Sequence, residues 1–98
     1  MTRTVEEVFD EIKTWGDPAE EFRRRGIKGI PENACECPFA RFIKQETGVK
    51  DINVSNNDTI IGPEGGEQVW FINPDNMFEF IQEFDEGEYP ELVEEVKS

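Results

Sequence analysis

The segment from Val69 to Phe84, VWFINPDNMFEFIQEF, is the densest apolar stretch of the chain and limits how the chain can fold. Its first four residues, Val69–Ile72, are consecutively apolar, which is typical of a strand covered on both faces. Asn73 and Pro74 then favour the start of a helix. The apolar residues of that helix recur at the spacing of one buried stripe: Met77, Phe80, Ile81 and Phe84. The segment therefore predicts a buried strand followed by a core helix.

Length and composition predict one domain that covers residues 1–98. Eight Phe and two Trp supply a core that needs no metal or disulfide. No apolar run approaches the ~18 residues of a membrane span, and the N-terminus lacks the order of a signal peptide. Two cysteines are too few for a disulfide framework. We therefore expect a cytoplasmic protein that does not bind membranes.

Capping residues and apolar periodicity predict an α+β fold with five helices and three strands. Three helices precede the strands, at residues 5–15, 18–25 and 38–47, and two follow them, one after Pro74 and one at residues 90–96. Short β-branched runs separated by turn residues predict a three-stranded antiparallel meander over residues 52–72. The connection at residues 26–37 has no periodicity and is expected to pack as a loop.

The predicted core combines the apolar stripes of the helices with the third strand. We expect that strand to contact helices on both of its faces. The core residues are expected to be Phe9, Ile12, Phe22, Phe39, Phe42, Ile43, Trp70, Ile72, Phe80, Ile81 and Phe84.

Cys35 and Cys37 are candidates for thiol chemistry because Cys37 stands at the start of a predicted helix. The helix dipole can acidify a thiol there, so Cys37 is a possible reactive thiol. The C-x-C spacing differs from the C-x-x-C of redox motifs, and the chain has no histidine to pair with a thiol. The main interpretation is therefore two buried structural thiols. A zinc site would need four Cys or His ligands, so no metal or other cofactor is expected.

The resemblance to known proteins rests on two sequence segments, RRRGIKG and CPFARFIK. Over about residues 23–48 the chain resembles short uncharacterised proteins of actinobacteria and their phages. The resemblance implies a small accessory protein, which a phage could encode. It implies no activity and no site residues, and the second half of the chain lies outside it.

Charge is distributed unevenly along the chain, which has a net charge of −13. Residues 51–98 hold thirteen acidic side chains and one basic side chain. Such a charge repels nucleic acid and anionic membranes and favours a basic protein surface as the partner. Twelve net negatives also equal the charge on ~20 Å of DNA duplex, so the second half could mimic nucleic acid.

An acidic ridge on the helix after Pro74 is the best functional clue. Three of its carboxylates, on Asp75, Glu79 and Glu83, recur every four residues and so share one helix face. The predicted partner-binding residues are Asp75, Glu79, Glu83, Asp85, Glu86, Glu88, Tyr89 and Glu91, with Tyr89 as an aromatic anchor.

These features predict a non-enzymatic interaction module that binds a basic protein surface and so inhibits or regulates its partner. That partner could itself bind nucleic acid. The chain has no histidine and no recognisable nucleophile–base pair, so we do not expect an enzyme. Three alternatives stay open: acidity that only confers solubility, a thiol or redox protein that uses Cys37, and an accessory assembly protein that dimerises through surface apolar residues.

Overall fold

The helices begin and end where the sequence supplies capping groups. The structure is a computed structural model that describes residues 3–62 and 66–94, and these residues form four α-helices. The helices are α1 (Val5–Lys13), α2 (Pro18–Arg25), α3 (Pro38–Thr47) and α4 (Asp75–Asp85). Thr4 and Glu7 form the predicted capping box of α1. Gly26 and Gly48 end α2 and α3 with φ of 68° and 78°, which glycine adopts at little cost.

The three strands form the predicted antiparallel meander. They are β1 (Ile52–Val54), β2 (Asp58–Ile61) and β3 (Val69–Ile72), in the sheet order β1-β2-β3. In the register of the second pair, Ile60 lies opposite Trp70 and Asp58 lies opposite Ile72. Because β3 is last in this order, one of its edges faces away from the sheet.

An aromatic cluster around Phe22 forms the centre of the core. The Phe22 ring centroid lies 4.9 Å from that of Phe39, 5.2 Å from that of Phe80 and 5.6 Å from that of Trp15. These four rings come from α2, α3, α4 and the segment that follows α1, so the cluster joins three helices to the end of the first. The core predictions in the helices are confirmed, from Phe9 to Phe84.

The prediction that β3 is buried on both faces is wrong. Trp70 is 61% exposed and Ile72 is 82% exposed, although both were expected in the core. Successive side chains of a strand point to opposite faces. The face that carries Phe71 is covered by Phe9, whose ring stacks on it at 5.0 Å. The opposite face, with Trp70 and Ile72, receives no such cover from the described helices.

The prediction of a last helix at residues 90–96 is also wrong within the described residues. A single 3₁₀ turn spans Pro90–Leu92 and then stops, and residues 95 and 96 lie outside the described part of the chain. The backbone beyond the turn pairs with the connection between α2 and α3. Gly29 N–H donates to Leu92 C=O at 2.9 Å, and Glu94 N–H donates to Gly29 C=O at 2.8 Å. Backbone groups used in this bridge are not free to continue a helix.

The connection at residues 26–37 packs against the body of the protein, as expected. Ile27 is buried, and Val54 N–H donates to Ala34 C=O at 2.9 Å, which ties the loop to β1. The described residues have a Cα radius of gyration of 12.8 Å, about that of a compact domain of this length. None of their helices is long and apolar enough to cross a membrane.

Candidate protein-interaction surface

The outer face of α4 carries the acidic ridge that the sequence predicts. Residues along a helix turn by about 100° each, so side chains four apart lie above one another. Met77, Phe80, Ile81 and Phe84 fill the core side of α4. The opposite side is exposed to solvent and contains four carboxylates, which we call the acidic face: Asp75, Glu79, Glu83 and Glu86.

Basic side chains of the first half neutralise Glu91 and Glu94, which follow α4, but not the acidic face. Arg23 pairs with Glu91 at 2.6 Å, and Arg41 pairs with Glu94 at 2.7 Å. These contacts raise the pKa of both guanidinium groups and lower the pKa of the Glu94 carboxyl group. The pKa of Glu91 is lowered first by a hydrogen bond from its own backbone N–H and then by Arg23. Among the described residues, no Lys or Arg forms an ion pair with the acidic face. The four carboxylates of the acidic face therefore keep their negative charge uncompensated by the described cations.

Two other predicted partner-binding residues serve the fold. Asp85 Oδ1 accepts a hydrogen bond from Glu32 N–H at 2.9 Å, which anchors the connection at residues 26–37 to α4. Glu91 is held by Arg23. Glu88 is exposed and forms no side-chain hydrogen bond or ion pair within the described residues, so it extends the acidic face past the end of α4.

Tyr89, the predicted aromatic anchor, is partly buried against the fold. Its ring stacks on Phe80 with centroids 5.0 Å apart, and its O–H donates to Glu83 Oε2 at 3.0 Å. Partial burial and the nearby Glu83 carboxylate raise the pKa of Tyr89 to about 12. Tyr89 therefore positions Glu83 on the acidic face and has little surface left for a partner.

The exposed aromatic rings are those of Phe78 and Trp70, which sequence reasoning missed as surface residues. Phe78 is 37% exposed and lies one helical turn after Asp75, at the border of the acidic face. A signal for Phe78 was present, because it falls outside the i, i+3, i+4, i+7 stripe of α4. No such pattern marked Trp70 as exposed, because a run of four consecutive apolar residues is typical of a buried strand.

Trp70 and Ile72 form an apolar surface on the uncovered face of β3, and the chain leads from this surface directly into the acidic face of α4. They are 61% and 82% exposed, and the chain passes from them to Asp75 through Asn73 and Pro74. Asn73 holds this junction firmly, since its Oδ1 accepts from Thr59 Oγ1 at 2.7 Å and its Nδ2 donates to Ser55 C=O at 2.6 Å.

Comparison with protein-family models, with curated proteins and with solved structures found no match to this chain. The resemblance over residues 23–48 stays a prediction. The functional argument therefore depends on the surface itself.

An open depression of about 440 Å³ lies on the uncovered side of the sheet. Its lining includes Cys35, Lys50, Asn53, Ile60 and Gln68. Among the described residues, no group of three or more His, Cys, Asp or Glu side chains is placed to hold a metal ion. The depression contains a thiol, an amine, a carboxylate and amides.

The two cysteines differ in environment. Cys37 is 3% exposed, as the main interpretation expected, and its Sγ accepts a hydrogen bond from Ala40 N–H at 3.4 Å as the N-cap of α3. Burial raises the pKa of the Cys37 thiol to about 11, in opposition to the helix dipole. Cys35 is exposed, which the interpretation as two buried thiols did not expect. The geometry thus argues against thiol chemistry at Cys37.

We expect iodoacetamide near pH 7.5 to alkylate Cys35 and to leave Cys37 unmodified in the folded protein. The folded-state pKa of Cys37 lies above its ordinary value, so the thiolate is scarce at this pH, and burial excludes the reagent. Mass spectrometry of peptides after timed quenching measures both rates. Denaturation in urea should make the rates similar. Rapid modification of Cys37 in the native state would restore the thiol alternative.

Proposed function

We propose that this protein is a non-enzymatic interaction module that docks the acidic face of α4 on a basic surface of a protein partner and thereby inhibits or regulates it. The observation that carries the proposal is the set of exposed carboxylates on α4 that no described cation neutralises. A surface whose charge served only solubility would need no such segregation from the basic residues. Opposite charge would accelerate the encounter and orient the partner.

Like charges four residues apart on a helix repel each other, so the acidic face weakens the fold that carries it. Each such pair costs roughly 0.2–0.5 kcal/mol in an isolated helix. Asp75–Glu79 and Glu79–Glu83 are two pairs of this kind, and no described ion pair compensates them. A basic partner would relieve this repulsion on binding. Phe78, at the border of the face, offers apolar area for a contact that prolongs the complex.

The double substitution Glu79→Gln and Glu83→Gln should weaken partner binding by roughly five- to thirty-fold, since each exposed charge contributes up to ~1 kcal/mol. The new amide oxygen at position 83 would still accept the Tyr89 hydrogen bond, and removal of like charges should leave the fold at least as stable. The measurement is affinity capture on immobilised protein from a lysate of the source organism, followed by quantitative mass spectrometry of the proteins eluted by a salt gradient. Surface charges are screened over ~10 Å at 0.1 M salt, so the partner should elute at moderate ionic strength.

The matched control is the pair Glu6→Gln and Asp10→Asn on α1. These residues have the same four-residue spacing, are exposed, and change the net charge by the same amount on a different helix. The control should retain the partner. Equal loss in both variants would indicate that only net charge matters, and no loss in the α4 variant would refute the proposed docking face.

A further inference from the structure

The outer edge of β3 is a second surface, which adjoins the acidic face of α4 at Asp75. Within residues 3–62 and 66–94, no strand pairs with this edge, because β3 ends the sheet order. Natural proteins usually protect such an edge with a charge, a proline or a bulge, since an open edge pairs readily with another chain. β3 has none of these and carries the sequence Val-Trp-Phe-Ile.

The hydrogen bonds between β2 and β3 show which backbone groups of β3 face its open edge. Asn73 N–H donates to Asn57 C=O at 3.0 Å, and in an antiparallel pair every second residue bonds to the same neighbour. The residues of β3 that bond to β2 are therefore Phe71 and Val69. Trp70 and Ile72 direct their N–H and C=O groups to the open edge. The same two residues carry the most exposed apolar side chains of the sheet.

The charges around this edge disfavour a second copy of the chain as the occupant. Two copies related by a two-fold axis would pair their β3 strands antiparallel. Glu67 precedes β3 and Asp75 follows it, so an antiparallel pair would bring acidic residues of both copies to the same ends of the paired strands. Like charges placed opposite each other destabilise strand pairing, and each chain also carries a net charge of −13.

The same charges favour a basic occupant. Glu67 and Asp75 flank the strand, and Asp58 lies opposite Ile72 on the uncovered face. No Lys or Arg occurs from residue 51 to residue 96. Lys50, which lines the depression on this side of the sheet, precedes β1, and β1 lies at the opposite end of the sheet order from β3.

We propose that the open edge of β3 pairs with an extended segment of another protein, apolar at alternate positions and flanked by Lys or Arg. Main-chain hydrogen bonds to Trp70 and Ile72 would supply affinity, and the exposed Trp70 and Ile72 side chains would contact the alternate apolar residues of that segment. The basic flanks would meet Glu67, Asp58 and Asp75. This goes beyond the proposed function, because strand pairing needs backbone groups that the acidic face of α4 does not contribute.

The test uses the full chain and a capped synthetic peptide, KKVTVTVKK. Hydrogen exchange followed by NMR should show at least roughly ten-fold slower exchange of the Trp70 and Ile72 amides at saturating peptide, because these outward amides become hydrogen-bonded. A peptide with glutamate flanks, EEVTVTVEE, should give far less protection. Absence of protection with the basic peptide, or equal protection with the acidic one, would overturn the proposal. So would slowed exchange that grows with protein concentration without peptide, since that result means self-pairing.

Two substitutions at one position separate backbone pairing from simple apolar contact. Ile72→Pro removes an outward N–H that β2 does not use, a place where an edge strand tolerates proline. It should abolish the protection of Trp70, whereas Ile72→Thr keeps the N–H and should retain it. If Ile72→Pro does not fold, the natural chain can be tested with a peptide that is N-methylated along one edge. Such a peptide lacks the N–H groups that would pair with β3. Protection that survives loss of these amides would refute strand pairing.

The outcome is independent of the docking face on α4. The variant with Glu79→Gln and Glu83→Gln should still protect Trp70 and Ile72 in the presence of the basic peptide. Failure of the peptide experiment leaves the α4 proposal intact, and failure of the α4 variant in affinity capture leaves the strand edge intact.

Discussion

Phe22→Ala should lower the free energy of unfolding by about 3–5 kcal/mol, a loss typical of a buried Phe replaced by Ala. Phe22 is fully buried and contacts rings from α3, α4 and the segment that follows α1, including Phe39 and Phe80. Loss of its ring leaves a cavity that those helices cannot fill without moving together. Since small domains have a total stability of about 5–15 kcal/mol, the variant should be close to unfolding at 37 °C. Urea denaturation followed by circular dichroism measures the change.

Trp70→Ala is the matched comparison, because sequence reasoning placed both aromatic residues in the core. Trp70 is mostly exposed, so its removal should change the free energy of unfolding by no more than about 1 kcal/mol. This variant also retains Trp15 as a buried fluorescent reporter of folding. A loss at Trp70 as large as that at Phe22 would mean that another part of the protein covers the outer face of β3.

Gly29→Ala should destabilise the fold by roughly 2–4 kcal/mol, at or above the usual cost of overpacking. A Cβ atom at this position would lie 2.5 Å from both Cδ and N of Pro38 and 2.7 Å from the carbonyl carbon of Cys37. These are ring and backbone atoms at the start of α3, which cannot rotate away. Relief requires α3 to separate from the connection at residues 26–37. The backbone bridge to Leu92 and Glu94 would be strained at the same time.

Gly16→Ala is the control for Gly29→Ala. A Cβ at Gly16 meets nothing within 4 Å, and Gly16 does not have a positive φ. The change should be neutral or stabilise by up to ~1 kcal/mol, because alanine reduces the entropy of the unfolded chain. Thermal unfolding gives both differences, and exchange of the Glu94 amide reports the bridge. Equal stability of the two variants would show that α3 can move away from Gly29 at little cost.

The helix ends could be predicted from interactions between residues that are close in the chain. Thr4 with Glu7, Asp17, and the two glycines after α2 and α3 mark helix ends through contacts within a few residues, and the structure has these ends as predicted. The meander could be predicted for the same reason, because turn residues and β-branched runs act locally. The acidic stripe of α4 needed only the helical period.

The sequence-based predictions were wrong where contacts with residues far away in the chain determine the environment of a residue. Val69–Ile72 has the composition of a buried strand, but burial depends on whether another layer covers it, and composition does not encode that. Residues 92–94 have an apolar pattern suited to a helix, yet their backbone pairs with Gly29, more than sixty positions earlier. Tyr89 was predicted as a surface anchor, and in the structure its ring is partly covered by stacking on Phe80.

The amino-acid sequence is enough to predict the class of fold, the limits of the four helices to within about two residues, and the concentration of negative charge in the second half. Folding decides which carboxylates the arginines neutralise, which aromatic rings remain exposed, and that β3 has an open edge. The difference lies in the range of the interactions. Capping, turn and helical periodicity act between neighbours in the chain, whereas ion pairing and burial depend on residues that folding brings together from far apart.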